Sequence, residues 1–203
     1  MTESLLPAGS PHAHATPSPW IVRFAHLVAP GARVLDVAAG HGRHARFFAQ
    51  RGARVLAVDR DAAALAALAD CAGVETRAVD LETGNWPLAG ERFDAIVVVN
   101  YLYRPSFSHL RAALAPDGVL LYETFAIGNE AFGRPSSPDF LLRRDELLTL
   151  AGLAPPDPLT VVGYEQGLTG DAARRAVVAR LAAVGAARAW PPPLVAPARA
   201  PER

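Results

Sequence analysis

Lysine is absent from this chain. All twenty basic residues are arginine, so no lysine nucleophile or Schiff base can form. Cysteine occurs once, at Cys71, which excludes an intramolecular disulfide and a cysteine-built metal cluster. Set among alanines and leucines, this thiol reads as a buried apolar group. Net charge is missing as well, since twenty basic and twenty acidic residues cancel. A strongly positive field, the usual footprint of a nucleic-acid binder, is therefore not expected. No basic segment followed by a long apolar run opens the chain, and Pro7, Pro11, Pro17 and Pro19 interrupt its start. Neither a signal peptide nor a membrane span is expected, and the default location is cytoplasmic.

Apolar side chains are plentiful, at 51% of 203 residues. That length and composition suit one α/β domain with a full core. Residues 1–17 mix Pro, Ser, His and Ala without periodicity and read as a flexible tail. Ser18-Pro19 has the form of an N-cap with a first-turn proline, and a short leading helix follows as far as Pro30-Gly31. Two textures then alternate. Strand-like runs are RVLDV (33–37), RVLAV (54–58), ETRAV (75–79), FDAIVVV (93–99) and VLLYET (119–124). Segments suited to helices are 43–51, 61–71 and 107–115. Repeated strand–helix–strand units predict a mostly parallel sheet with helices on both faces. Residues 81–92 and 126–139 are rich in glycine and polar residues and read as loops. A helix is expected over 143–151. LTVVGYE (159–165) and AVVARLAAV (176–184) are joined too closely for a crossover helix, so they are expected to pair antiparallel. A domain over 18–185 and a Pro/Ala-rich tail over 186–203 complete the expected organisation.

The chemistry is concentrated at strand ends. The first strand runs into Asp36-Val37-Ala38-Ala39-Gly40-His41-Gly42. Glycine at 40 and 42 lets the backbone turn tightly and approach a ligand. The helix that follows presents unpaired N–H groups and the positive end of its dipole. Gly40-His41-Gly42-Arg43-His44-Ala45 also fits a dinucleotide fingerprint, with an acid, Asp59, about twenty residues on. An NAD(P)-dependent oxidoreductase therefore stands as one reading. Asp36 points elsewhere, because a carboxylate repels a pyrophosphate and attracts a cation. Asp59 and Asp80 follow the next two strands, on the face where open α/β sheets bind ligands. Asp59 is placed to accept from ribose hydroxyls, and Asp80 from an adenine amino group beside the apolar Leu81. Asp61 reads as a helix N-cap. His41 and His44 lack the neighbours that a metal site needs.

With these residues in view, 18–185 resembles the class I, seven-stranded S-adenosylmethionine-dependent methyltransferases, within them the small TehB-like, tellurite-resistance-type branch. VLDVAAGHGRHARFFA matches the glycine-rich first motif, and Asp59 the ribose-binding acid. AVDLE (78–82) matches the adenine-side motif, FDAIVVVNYLYRP (93–105) the fourth strand, and 118–148 the fifth strand with its loop. The resemblance implies S-adenosyl-L-methionine as cofactor, held by Asp36, Ala38, Gly40, Gly42, Asp59, Arg60, Asp80, Leu81 and Asn100. It implies a Rossmann-like seven-stranded sheet with an antiparallel last strand. Ala38 departs from the family, which often has glycine there. A cofactor-binding protein without catalysis is thus a further alternative. The expected reaction is in-line methyl transfer to a small-molecule nucleophile, with no nucleic-acid or membrane partner. Tyr101, Tyr103, His44 and Glu123 are the candidate groups to orient or deprotonate an acceptor. Trp20 is a candidate cover for the site, or a packing anchor.

Overall fold

The computed structural model describes residues 16–152, 159–171 and 175–194. Seven strands form one sheet: β1 (Arg33–Val37), β2 (Arg54–Asp59), β3 (Val74–Ala78), β4 (Phe93–Val99), β5 (Leu114–Phe125), β6 (Thr160–Gly170) and β7 (Arg175–Val184). Their order is β3-β2-β1-β4-β5-β7-β6. β1 to β5 are parallel, and β7 runs antiparallel to both β5 and β6. The antiparallel final pair read from the sequence is therefore present. Of the expected tails, 1–15 and 195–203 lie outside the described residues. Thr16 and Pro17 are placed beside the first helix, and 185–194 form turns and bends without a strand or helix.

β1, β2 and β4 are buried at most positions, largely with apolar side chains, because both faces of the sheet are covered. Successive side chains alternate between two cores. Val34, Val55, Ala57, Val97, Val119, Leu121 and Ala182 face one side. There they meet α1 (Pro19–Phe24), α2 (Arg43–Gln50) and α3 (Ala62–Leu65). Leu35, Leu56, Val58, Ile96, Val98, Leu120, Tyr122 and Leu181 face the other side. They are covered by α4 (Ser106–Ala113) and α5 (Glu146–Leu150). Each fully buried branched side chain contributes about 1.5–3 kcal/mol. An exposed ion pair contributes roughly 0–1 kcal/mol. The two apolar sets therefore fix which face each residue takes.

Five boundaries differ from the sequence reading. The leading helix, expected as far as Pro30-Gly31, ends at Phe24 and is followed by a 3-10 turn, Ala25–Leu27. The expected helix over 61–71 is α3 followed by a 3-10 turn, Ala66–Leu68. Asp61 caps it, accepting from the N–H groups of Ala63 and Ala64. The helix expected over 143–151 is only α5. β5 begins at Leu114, before the expected turn at Pro116-Asp117-Gly118, because a shift in register between Phe93 and Ala95 lets the strand run through it. β6 extends to Gly170, which leaves only 171–174 as its connection to β7, with 172–174 outside the described residues.

Sheet order positions the site. The chain leaves β1 toward β2 on one side, while β4 and β5 lie on the other. Between the C-terminal ends of β1 and β4 the direction of winding reverses, and that crevice is where open α/β sheets bind ligands.

Candidate cofactor site

Three residues after β1 take left-handed backbone: Ala38 (φ 52°), Gly40 (φ 53°) and Gly42 (φ 75°). A β-carbon on Gly42 would run into the Leu68 side chain. One on Gly40 would meet nothing within 4 Å, because it would project into the crevice. Asp59 ties this loop down. Its Oδ2 accepts from Gly40 N–H at 2.8 Å and its Oδ1 from Asp61 N–H at 2.9 Å. Each carboxylate oxygen retains a second lone pair for a ligand. Gly40→Ala adds about 1–2 kcal/mol of left-handed strain. It is expected to lower the melting temperature by roughly 2–8 °C while weakening ligand binding much more. Circular dichroism melts and calorimetric titrations check the two effects separately.

Asp36 lies in β1 on the α2 face and is only 2% exposed. Its Oδ2 is buried with no hydrogen-bond partner among the described residues. Burial drives its pKa up to about 7, against the opposing pull of the Ala45 N–H and the Arg43 charge. A buried, unpaired carboxylate oxygen is costly to leave unsatisfied. A ligand ammonium would satisfy it.

Ala38, Gly40, Gly42, His41, Arg43, His44, Val99 and Asn100 line one cleft of about 290 Å³ at this point. Asn100, like Ala38, is held in left-handed backbone (φ 60°), and its N–H donates to Glu123 O at 2.9 Å. His44 is buried, and its Nε2 accepts from Ser18 N–H at 3.1 Å. Burial, with Arg43 adjacent, lowers its pKa to about 3, so the ring is neutral. Trp20 is buried, and its Nε1 donates to Leu181 O. It is the anchor that seats α1 on the sheet.

Glu123 is buried near the end of β5, paired across the sheet with Val99, a residue that lines the cleft. Its Oε2 accepts from Ser18 Oγ at 2.9 Å and from Arg180 Nε at 2.8 Å. Arg180 continues to Glu165, which also meets Arg23 of α1. Glu123, Arg180 and Glu165 are direct cross-strand neighbours on β5, β7 and β6. This alternating row of charges lies beneath α1. Sequence reasoning missed Ser18 and Arg180 as site residues. An arginine inside the apolar run AVVARLAAV was the available signal.

The remaining candidates gather on the other side. Asp80 and Arg60 are exposed, and Leu81 is buried. Asp80 Oδ1 takes Glu82 N–H at 2.8 Å. Tyr103 Oη donates to Glu82 O at 3.4 Å. The Tyr101 hydroxyl is buried without a hydrogen-bond partner among the described residues. Burial, with Glu82 and Asp80 nearby, raises its pKa. The two tyrosines thus adjoin the 80–82 turn, not the Glu123 side. The loop after β5 is pinned: Asn129 takes Val177 N–H and donates to Pro135 O, and Arg104 pairs with Glu146. Among the described residues, no three His, Cys, Asp or Glu side chains are grouped to hold a metal ion. No helix of the described residues is long and apolar enough to cross a membrane.

The sheet order differs from the two-mononucleotide order 3-2-1-4-5-6 of dinucleotide enzymes by the insertion of β7 between β5 and β6. Residues 34–118 match the methyltransferase-domain family. The chain has the fold of S-adenosylmethionine-dependent methyltransferases. No curated protein matches it. TehB from Haemophilus influenzae is similar in structure, with a TM-score of 0.66 and 18% identity over 81% of this chain and 61% of that one. This chain therefore spans less than two thirds of that protein's length. The N-methyltransferase NodS from Bradyrhizobium japonicum WM9, solved with S-adenosyl-L-homocysteine, has a TM-score of 0.59 and 19% identity over 80% of this chain and 82% of its own. The [4+2]-cyclase SpnF shares the fold too, with a TM-score of 0.60 and 15% identity over 81% and 78%. S-adenosylmethionine is the cofactor of this domain class. The residues here fit it: an unsatisfied carboxylate for its ammonium, open space above Gly40, and a ribose-ready acid in Asp59.

Proposed function

We propose that this chain transfers a methyl group from S-adenosylmethionine to a small-molecule nucleophile. The observation that carries the reading is Asp36, a buried carboxylate with an unpaired oxygen beneath a glycine loop at the switch point of the sheet. Shared fold alone would not suffice, since the same fold hosts unrelated chemistry. In this reading Asp36 meets the cofactor's ammonium. Gly40 and Gly42 admit its amino-acid end, Asp59 accepts from its ribose, and Asp80 and Leu81 receive its adenine. Ala38, Arg60 and Asn100 complete the surround.

When bound, the cofactor supplies an electrophilic methyl group, which passes to an in-line nucleophile as the carbon–sulfur bond breaks. The protein's contribution is orientation, which is worth up to about 7–11 kcal/mol in favourable cases. Glu123 is the group we assign to the acceptor side. Both of its donors fall on Oε2, which leaves Oε1 to take an acceptor's proton or hydrogen bond. His44 acts through Ser18, and Tyr101 and Tyr103 wall the adenine side. A chain of zero net charge favours a small acceptor over a nucleic acid. The single thiol suits the reducing cytoplasm.

Calorimetry with S-adenosylmethionine and S-adenosylhomocysteine tests the reading. Saturable binding of both is expected, and folded protein that binds neither overturns it. Asp59→Ala is expected to weaken binding at least tenfold, which matches the roughly 1.5–3 kcal/mol of a charged hydrogen bond. An unchanged affinity removes Asp59 from the ribose role.

A further inference from the structure

Ser18 joins three elements around the cleft. Its Oγ accepts from Trp20 N–H at 3.1 Å, which caps α1. The same oxygen donates to Glu123 Oε2 at 2.9 Å, at the end of β5. Its own N–H donates to His44 Nε2 at 3.1 Å, in the first turn of α2. Ser18, His44 and Glu123 are each less than one-tenth exposed. One residue earlier in α2, Arg43 Nη1 reaches Thr16 O at 3.4 Å. The glycine loop and the start of α1 are thus held together by hydrogen bonds, and Arg43 and His44 line the cleft themselves.

These bonds constrain one another. With Ser18 Oγ and Arg180 Nε both on Oε2, Glu123 is fixed from two directions. Arg180 has no spare freedom, because its other nitrogens meet Glu165 and Thr169. His44 has its Nε2 lone pair committed to Ser18, so the ring sets how close α2 and its preceding loop stand to the leading segment. A movement of the glycine loop is felt at Ser18, and a movement of Ser18 reaches Glu123.

We propose that Ser18 is a positioning residue that couples occupation of the glycine loop to the orientation of Glu123 and the seating of the leading helix. This inference rests on the cofactor reading above. In it, the cofactor orders residues 16–27 as well as its own loop, although α1 does not line the cleft.

Hydrogen exchange by mass spectrometry, with and without S-adenosylhomocysteine, tests the coupling in the full chain. In the wild type, ligand is expected to slow exchange both over 38–46 and over 16–27. In Ser18→Ala, protection over 38–46 is expected to persist while that over 16–27 falls at least threefold. Ser18→Thr, which keeps the hydroxyl, is expected to restore it. Comparing the ratio with and without ligand within each variant removes any general loss of stability. Equal ligand protection of 16–27 in wild type and Ser18→Ala overturns the proposal. So does a wild type in which ligand protects 38–46 alone. A wild type that binds no S-adenosylhomocysteine overturns the cofactor reading instead, so the two failures are distinct. A parallel check is available once an acceptor is in hand. Ser18→Ala is expected to lower kcat at least threefold with little change in cofactor affinity, and Ser18→Thr to recover it.

Discussion

Asp36→Asn is expected to stabilise the ligand-free protein at pH 8 and to weaken S-adenosylmethionine binding more than tenfold. The two effects have one cause. In the free protein, burial holds the Asp36 carboxyl at a pKa of about 7, against 3.8 as the ordinary value. Between those two values the folded protein keeps a proton that the unfolded chain has released. Stability from this group is therefore fully present below about pH 4, falls as pH rises toward 7, and is lost above it. At pH 8 the native state buries an ionised carboxylate whose Oδ2 has no partner. Asparagine is neutral at every pH, so the variant lacks this slope. Its melting temperature is expected to exceed the wild type's by roughly 5 °C or more at pH 8, with the gap narrowing as pH falls and closing near pH 4. The ligand reverses the balance, because its ammonium needs the charged form. Wild-type affinity is expected to rise about tenfold per pH unit below 7 and to level off above. Asparagine loses both the attraction and the pH dependence. Melting curves and calorimetric titrations at several pH values read both. A pH-independent affinity in the wild type would separate Asp36 from the ammonium.

The second large effect is structural. Arg180→Ala removes the main partner of Glu123, whose side chain is 11% exposed. Breaking a buried pair by deleting one member typically costs about 3–5 kcal/mol, because the other charge is left uncompensated. Arg180→Ala is therefore expected to lower the melting temperature by roughly 6–20 °C. The double variant Arg180→Ala/Glu123→Gln is expected to recover a substantial part of that loss, since it no longer buries an unpaired charge. If the double variant is no more stable than Arg180→Ala, the loss comes from packing of the arginine stem, not from the orphaned carboxylate.

The parts of the fold that were legible in the sequence are those with strong local causes. VLDV, VLAV and AIVVV are buried on both faces, and such runs announce themselves. Asp61 and Ser18 sit where a helix needs an N-cap, and both cap one. Boundaries set by tertiary register were not legible. β5 passes through Pro116-Asp117-Gly118 because its pairing with β4 shifts between Phe93 and Ala95, and no local signal encodes that. The same divide runs through the site. Of the residues proposed to hold the cofactor, the glycine loop, Asp36 and Asp59 are local to strand ends, so the sequence places them without knowledge of the sheet order. The Ser18–Glu123–Arg180 contact joins residues more than fifty positions apart, and only the strand order brings them together. Tyr101 and Tyr103 follow β4 as the sequence suggested. Which side of the cleft they take was decided by the 80–82 turn, which no spacing reveals.

Ala38 has a physical reading that its sequence context alone did not supply. Its φ of 52° is the left-handed conformation that glycine adopts without strain. The protein holds an alanine there at a cost of about 1–2 kcal/mol, at the lip of the cleft.

A crystal structure grown with S-adenosylhomocysteine would show directly whether Asp36 holds the cofactor. The ligand is expected between the C-terminal ends of β1 and β4, with its ammonium on Asp36, its ribose on Asp59 and its adenine beside Asp80 and Leu81. A ligand seated elsewhere, with Asp36 still unpaired beneath an empty glycine loop, would contradict this placement.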